Sequence, residues 1–587
     1  MWSPCCGAAL PDTLNAALAR AAGSPDKGLR FLDRREQATF VGWDEVFARA
    51  QATAGRLAAL GVRPGDRVAL IHPTAPEFFD AFFGANLAGA VPVPLYPPVR
   101  LGRMDEYHIR TARMLQAVDA RVVLADSRVR RVLGHSIEAA RPPLGCLTAD
   151  MLPEAEPLFR EVDPDALGMV QFSSGTTVDP KPVALSHRAV TAQAGLIIEW
   201  AVQHPEYTTE GACWLPLYHD MGLIGCVFVA LLYPGSLTLI GPEVFVTRPG
   251  VWLRAISRYG ACISPAPNFA YALCTERITD EELEGVDLSR WTMALNGAEP
   301  VAPEVLRAFQ DRFARWGLRR SALTPVYGLS EASLAVSLSE PDQPFVSTCF
   351  DRDALAQGRA VPDEDGLEIV SVGFPAPRFA LKVIDPAGDS LPDGVIGRVL
   401  ARGPSLMEGY LGRPEDTARA LRDGWLDTGD LGFFWEGRLY LTGRAKDVLI
   451  LRGRNHPPHP VEQSVDAVEG VRTGCVAAVS HRHEGAATES LLLFVEHHKD
   501  ATAVQRKALP EACTAAVREA TGLNCDAVFV LAPGTLPRTS SGKIRRQETL
   551  RRYLAGELSA PESVGALKLA GMMARSALAM RKSRDGR

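Results

Sequence analysis

From about residue 66 to 340, short apolar runs alternate with longer helical patterns, and this alternation leaves few architectures open. Arg67-Val-Ala-Leu-Ile71 is followed by a helical stretch over 76–90, a second apolar run over 91–95 and later Arg121-Val-Val-Leu124. Strands separated by helices cannot pair through hairpins, so they form βαβ units and parallel sheets covered on both faces. The pattern changes at 365–445. There, Phe379-Ala-Leu-Lys-Val-Ile384 and Arg398-Val-Leu-Ala-Arg402 are separated by Gly, Pro and Asp turns with little room for helices. After Gly443-Arg-Ala-Lys-Asp447 a compact unit reads strand, helix, strand, strand, helix over 448–451, 460–468, 471–480, 490–496 and 504–521.

The expected fold is therefore α/β. It has a large N-terminal domain of parallel α/β sheets (1–443) with a β-rich subdomain at about 365–443, then a small, mobile α+β C-terminal domain (444–556). The turn-rich stretch 443–447 is the expected hinge, because boundaries fall where few contacts cross. Residues 557–587 form an Ala- and Met-rich basic tail, read as a surface or frayed helix rather than a membrane anchor.

Charge and cysteine usage remove several function classes. The 587 residues carry 69 acidic and 63 basic side chains, a formal charge of −6 that gives no electrostatic footprint for nucleic acid. The 11 cysteines are scattered, with no CxxC pair, which predicts a reducing, cytoplasmic setting and no cysteine-built metal site. The N-terminus lacks the basic start and apolar run of a signal peptide. Residues 222–241 carry no charge and are long enough to count as a membrane span, but Pro234-Gly235 breaks them. A buried helix over 223–232 and a buried strand over 236–240 are expected, and no transmembrane segment.

Two hydroxyl- and glycine-rich loops stand far apart in the chain. Phe172-Ser-Ser-Gly-Thr-Thr-Val-Asp-Pro-Lys181 follows an apolar strand (167–172) and precedes a helix starting near Ser186-His187. Ser540-Ser541-Gly542-Lys543 lies within Leu536-Pro-Arg-Thr-Ser-Ser-Gly-Lys-Ile-Arg-Arg546. Such turns offer backbone N–H groups to phosphate oxygens, and a lysine beside a glycine reaches an anion unobstructed. The first loop lacks the GxxxxGK[ST] spacing of a nucleotide hydrolase. By itself an SSGTT run is more often an ordinary loop, and a lone histidine such as His219 reads as structural.

Other stretches change that weighing. Trp214-Leu-Pro-Leu-Tyr-His-Asp-Met-Gly-Leu223, Asn296-Gly-Ala-Glu-Pro300 and Tyr327-Gly-Leu-Ser-Glu331 fall at turns, and Trp425-Leu-Asp-Thr-Gly-Asp430, Gly443-Arg444 and the Lys543 loop follow in order. Over about residues 30–555 the chain resembles the acyl-adenylate-forming family of acyl-CoA ligases, luciferases and peptide-synthetase adenylation domains. Within it, Ser264-Pro-Ala-Pro-Asn-Phe-Ala-Tyr-Ala-Leu-Cys274, Leu288-Ser-Arg-Trp291 and Arg452-Gly-Arg-Asn-His456 resemble the fatty acyl-AMP ligases. Residues 346–378, with Phe350-Asp-Arg-Asp-Ala-Leu-Ala-Gln-Gly-Arg-Ala360, resemble the insertion that separates acyl-AMP ligases from CoA ligases.

The resemblance implies attack of a fatty carboxylate on the α-phosphate of ATP, with Mg²⁺, to give acyl-AMP and pyrophosphate. It implies transfer of the acyl group to the phosphopantetheine thiol of an acyl carrier protein or a polyketide synthase carrier domain. By motif, Ser173, Ser174, Gly175, Thr176 and Thr177 would hold the β- and γ-phosphates, with Thr176 and Glu331 close to Mg²⁺. Gly297, Ala298 and Tyr327 would frame the adenine, Asp430 would accept both ribose hydroxyls, and Arg444 would reach the ribose or α-phosphate. Lys543 would bridge the carboxylate and the α-phosphate, His219 would orient the carboxylate, and Lys446 would be the hinge.

Two departures from the family pattern stand out. Val178 and Pro182 replace the usual glycines, which would stiffen the first loop and slow the access of ATP; Pro457, His459 and Pro460 interrupt the stretch after Asn455-His456. Two other readings remain, a fatty acyl-CoA ligase with the same catalytic residues and an inactive relative that binds fatty acid or nucleotide.

Overall fold

The computed structural model describes residues 9–98, 101–173, 180–451, 454–483, 488–539, 542–561 and 566–585. The largest sheet has nine strands, with Gly28–Leu32, Ser236–Ile240, Glu210–Cys213, Ile263–Ala266, Met293–Asn296 and Leu323–Gly328 side by side and parallel. Antiparallel strands close both edges: Ala38–Gly42 on one, Ala335–Leu338 and Phe374–Pro375 on the other. A second, four-stranded sheet is parallel throughout, in the order Val91–Pro94, Arg67–Ile71, Ala120–Ala125, Cys146–Leu147.

The alternating runs are thus the strands of covered parallel sheets, and Ser236–Ile240 is buried along its whole length. The helix Pro76–Leu87 is mostly apolar, with Glu77 exposed and Asp80 paired to Arg49 on its outer side. Phe78, Phe79, Phe82 and Phe83 are all buried and carry the helix into the core. Each such ring contributes about 1.5–3 kcal/mol by leaving water.

The uncharged stretch 222–241 departs from expectation in one respect. It holds a short α-helix Asp220–Gly222, a π-helix Leu223–Phe228 and a last turn Val229–Leu232 before the strand Ser236–Ile240. The wider π turn places Gly225 against Leu334, where an added Cβ would come within 2.7 Å of the leucine Cδ2. No helix among the described residues is long and apolar enough to cross a membrane.

A further departure concerns the first glycine-hydroxyl loop. The chain runs strand, loop, strand, helix: Leu167–Phe172 pairs antiparallel with Pro182–Ser186, and only then does His187–Ala201 begin, capped by the Ser186 hydroxyl. Pro-Val-Ala-Leu-Ser is itself an apolar run that pairs, so the loop tops a hairpin and does not open a helix. Pro182 stands at the first position of its strand, where a missing N–H is tolerated.

The β-rich part is an antiparallel sheet of Ala380–Ile384, Gly397–Arg402, Trp425–Trp435, Leu421–Arg422 and Arg438–Arg444. The segment read as an insertion folds as a hairpin, Ser347–Phe350 with Leu367–Val370, around the short helix Arg352–Ala356. Phe350 anchors it, with its ring centroid 5.1 Å from that of Phe433 and 5.6 Å from that of Tyr440.

The C-terminal unit has a three-stranded sheet, Val471–His481, Ser490–His497 and Ala527–Leu531, with the helices Pro458–Asp466, Ala503–Thr521 and Arg546–Leu554. Its period-two pattern fills two cores. Val476, Ala478, Leu491, Leu493 and Val495 face one side, and Cys475, Ala477, Val479, Leu492 and Phe494 face the other. The prolines after His456 do not disturb this unit, because Pro458 sits in the first helical turn, where its ring is accommodated.

Of the two readings of the tail, the surface helix holds and the frayed one does not: along Ala566–Asp585, Ser576 and Ala579 are buried, and Met572, Met573 and Met580 pack on the core of the four-stranded sheet. Small residues on one face let it lie close to the helix Gly134–Ala140, where the Gly134 N–H donates to Ser576 Oγ at 2.8 Å.

Candidate functional site

One cavity opens where the parallel strands of the large sheet end, the place where open α/β sheets bind ligands. Pro265, Leu295, Ala298, Val326 and Tyr327 line it from three neighbouring strand ends. Gly297 is needed there, because a Cβ would lie 2.8 Å from Val326 Cγ2 and 2.9 Å from its carbonyl oxygen. Ala298 takes a left-handed φ of 70°, which turns the chain away from the strand.

The polar wall is fixed by cross-strand pairing. Asp430 and Arg444 are register partners in adjacent antiparallel strands, and Arg444 Nε lies 3.2 Å from Asp430 Oδ1. The other Asp430 oxygen accepts the Tyr327 hydroxyl at 2.6 Å. Burial and the neighbouring carboxylate push the Tyr327 phenol well above its ordinary range, so it stays a donor. Glu331 lies in the turn Ser330–Ala332, and its Oε1 accepts from the Tyr410 hydroxyl at 2.9 Å.

Lys543 enters the same cavity from the C-terminal unit. Its loop is a tight turn: the Thr539 N–H donates to the Lys543 carbonyl at 2.8 Å, and the Lys543 N–H to Thr539 Oγ1 at 3.0 Å. Gly542 takes a φ of 93° that favours glycine. His219 Nδ1 lies 2.6 Å from Asp220 Oδ1 beside it. The structure therefore brings Ser173, His219, Ala298, Tyr327, Glu331, Arg444 and Lys543 around one space, with Asp430 behind Tyr327 and Arg444. Ser174, Gly175, Thr176 and Thr177 lie outside the described residues. Their flanks are pinned together, the Ser173 N–H donating to the Lys181 carbonyl at 2.9 Å. Lys446 is exposed, two residues after Arg444, and its carbonyl accepts from Gln547 Nε2 at 3.2 Å.

Sequence reasoning missed several members of this site. Tyr410 reaches Glu331 because Gly409–Tyr410 adds a strand to Pro182–Ser186, a pairing that no local pattern announces. Lys181 lies 3.2 Å from Asp416 and over the Tyr410 ring. Asp220 and Ser330 were visible only as motif neighbours of His219 and Glu331. The remaining lining is apolar: Ile197 and Trp200 from the helix His187–Ala201, Gly225 from the π turn, and Leu334, Ala335 and Leu338. Trp200 is held by its indole N–H, which donates to the Ser339 carbonyl at 2.9 Å.

The sequence profile of the AMP-binding enzyme family matches residues 19–411. A long-chain-fatty-acid AMP ligase, FadD26 of Mycobacterium marinum, is 32% identical over 89% of this chain and 93% of its own. The chain belongs to the AMP-binding enzyme family. A protein of Caulobacter vibrioides named as a candidate acyl-CoA synthetase is 33% identical over 86% of this chain and 89% of its own. A solved structure from a study of fatty acyl-adenylate ligases of E. coli and L. pneumophila superposes with a TM-score of 0.87. It is 34% identical and covers 93% of this chain and 98% of that one.

In this member of the AMP-binding family the electrostatics favour an anionic ligand. Burial and then Arg444 hold the Lys543 ammonium below the ordinary lysine range, while Asp220, Glu299 and Asp430 oppose them. If the charged form acts, the rate falls as pH rises through that lowered pKa, and removing a lowering charge shifts the alkaline limb upward. Arg444→Gln is therefore expected to move the alkaline limb of adenylation to higher pH, read from the pH profile of pyrophosphate release.

Proposed function

We infer that the protein is a fatty acyl-AMP ligase. The observation that carries this reading is a single cavity that joins Lys543, Arg444, Glu331 and His219 to an apolar lining of Ile197, Trp200, Leu334 and Leu338. A ligand with a charged head and an alkyl body, beside a nucleotide, suits both parts.

In the proposed reaction a fatty carboxylate oxygen attacks the α-phosphorus of ATP. The new P–O bond forms as the bond to the β-phosphate bridging oxygen breaks, and pyrophosphate leaves. Charge builds on the phosphoryl oxygens, so the protein's work is positioning and electrostatic stabilisation. Lys543 bridges the carboxylate and the α-phosphate, and Arg444 adds a second cation at the ribose or α-phosphate. Asp430 accepts the ribose hydroxyls, and Tyr327 with Gly297 and Ala298 frames the base. Ser173 begins the loop that holds the β- and γ-phosphates, with Ser174, Gly175, Thr176 and Thr177.

The residues present fit Mg²⁺. This ion is commonly bound through one or two carboxylates plus substrate phosphates, and Glu331 presents a carboxylate with one oxygen held by Tyr410, with Thr176 as a second candidate. When bound, Mg²⁺ would neutralise phosphate charge. Scattered free cysteines support a cytoplasmic location.

For the second half-reaction the acceptor is the phosphopantetheine thiol of a carrier protein, and the small domain 444–556 turns about Lys446 to admit it. The insertion 346–378 supports this choice over free CoA, because it contacts that domain: Arg454 Nη1 lies 2.8 Å from Asp353 Oδ1. The pair is exposed and contributes little alone; the Phe350 packing holds the hairpin in place. The acyl-CoA ligase reading is kept alive by the Caulobacter relative. The charged set Lys543, Glu331, Asp430 and Arg444 is intact, which disfavours an inactive relative.

Phosphopantetheinylated carrier protein and free CoA, offered in parallel, separate the acceptors. Carrier thioester at least about tenfold faster than acyl-CoA is expected. Phe350→Ala, which removes a buried ring at a cost of about 3–5 kcal/mol, should loosen the hairpin and raise CoA use. Equal use of both thiols by the unaltered protein would favour the acyl-CoA ligase.

A further inference from the structure

Asp220 is 5% exposed, and its carboxylate is fully engaged. It accepts from Ser330 Oγ at 2.5 Å and from the Met221 N–H at 2.8 Å, and His219 Nδ1 lies 2.6 Å from Oδ1. The backbone N–H and the serine fix the carboxylate, and the carboxylate fixes the ring. Nδ1 faces Asp220, with the Met221 N–H a longer 3.5 Å away, so Nε2 is the remaining ring nitrogen; it is buried without a protein partner among the described residues. Both side chains line the cavity.

A neutral ring with its proton on Nδ1 offers a lone pair at Nε2 and would repel a carboxylate. A second proton on the ring makes Nε2 a donor, and the anion of Asp220 balances that charge. Burial resists ionisation of Asp220, but His219, Ser330 and Lys543 overcome it and hold the carboxyl at about 2.

We propose that Asp220 is a positioning residue for the acid substrate: it aims His219 Nε2 into the cavity and supplies the counter-charge with which that nitrogen donates to the fatty carboxylate. The proposal rests on the fatty acyl-AMP ligase reading. A purely structural Asp220, capping Met221 alone, would affect both substrates through general loosening.

The test is steady-state pyrophosphate release with KM for acid and for ATP measured separately. Asp220→Asn should raise KM for the fatty acid about 10–100-fold, with KM for ATP within about twofold; Asp220→Glu should recover part of the loss. In a His219→Ala background, Asp220→Asn should add nothing further. An undiminished effect in that background, or an equal rise in both KM values, overturns the proposal. An unaltered protein that releases no pyrophosphate with any fatty acid overturns the activity reading itself, a different result.

The geometry points to a second role, for the C-terminal helix Ala566–Asp585. Just before it, the chain stays with the C-terminal unit: Leu558 packs in the core around Phe494, and a Cβ at Gly534 would come 3.1 Å from Pro561 Cγ. From Met572 to Met580 the helix packs on the N-terminal part, and a Cβ at Gly134 would come 1.9 Å from the Ser576 carbonyl oxygen. Arg552 and Glu106, 2.7 Å apart, tie the same two bodies together.

The helix is thus a strap across the two bodies while Lys543 occupies the cavity, and it opposes withdrawal of the Lys543 loop. Gly134→Val, from the N-terminal side, and Ala579→Glu, from the helix side, should each detach it in the full-length chain, read as faster hydrogen exchange over 566–585. Both variants should release pyrophosphate at the unaltered rate, and single-turnover transfer from acyl-AMP to pantetheine should become about 3–10-fold faster. Detachment by either variant with transfer unchanged overturns the strap, as does a detached helix that slows pyrophosphate release instead.

Discussion

Lys543→Ala is expected to lower fatty-acid-dependent pyrophosphate release by about 10²–10³-fold, the loss typical of removing one preorganised donor from a developing oxyanion. The ammonium makes no hydrogen bond or ion pair among the described residues, so its charge is held for a ligand. Thermal stability should change far less than the rate, because no hydrogen bond is lost. Lys543→Arg should restore little, because a planar fork does not reproduce a compact ammonium on a flexible stem. A Lys543→Ala protein that adenylates at more than about a tenth of the normal rate would remove Lys543 from the chemistry.

Asp430→Ala should have the next largest effect. Its carboxylate serves Tyr327 at 2.6 Å and Arg444 at 3.2 Å and, in the proposed function, the ribose. Losing it leaves a buried phenol without its acceptor, at about 1–3 kcal/mol of stability, and should raise KM for ATP about 10–100-fold. The specific readout is discrimination against 2′,3′-dideoxy-ATP, which the unaltered protein should show and the variant should lose. A variant that still discriminates fully would exclude Asp430 as the ribose acceptor.

Much of this architecture was readable in the chain because local and tertiary signals agree. Arg67–Ile71 and Ser236–Ile240 are short, apolar and bounded by breakers, and they are buried strands. Gly542 before Lys543 is readable because the turn needs a left-handed residue. Where the reading failed, distant pairing decided the outcome. Pro182–Ser186 became a strand because Leu167–Phe172 and Gly409–Tyr410 flank it, and the second of these also delivers Tyr410 to Glu331. The Asp220 contact with Ser330 joins residues far apart in the chain, and neither announces the other. The C-terminal helix looked like a basic, weakly patterned tail because its buried stripe is made of Ser576, Ala579 and methionines, small or adaptable residues that carry little periodic signal. The π turn at Leu223–Phe228 left no trace in an all-apolar run.

This cavity is expected to join a fatty carboxylate to AMP. Mass spectrometry of products, after incubation with ATP, Mg²⁺ and fatty acids from medium to long chain, with and without CoA, tests it directly. Fatty acyl-AMP that persists when CoA is present is the expected product; absence of an adenylate from every acid would contradict a fatty-acid-adenylating site.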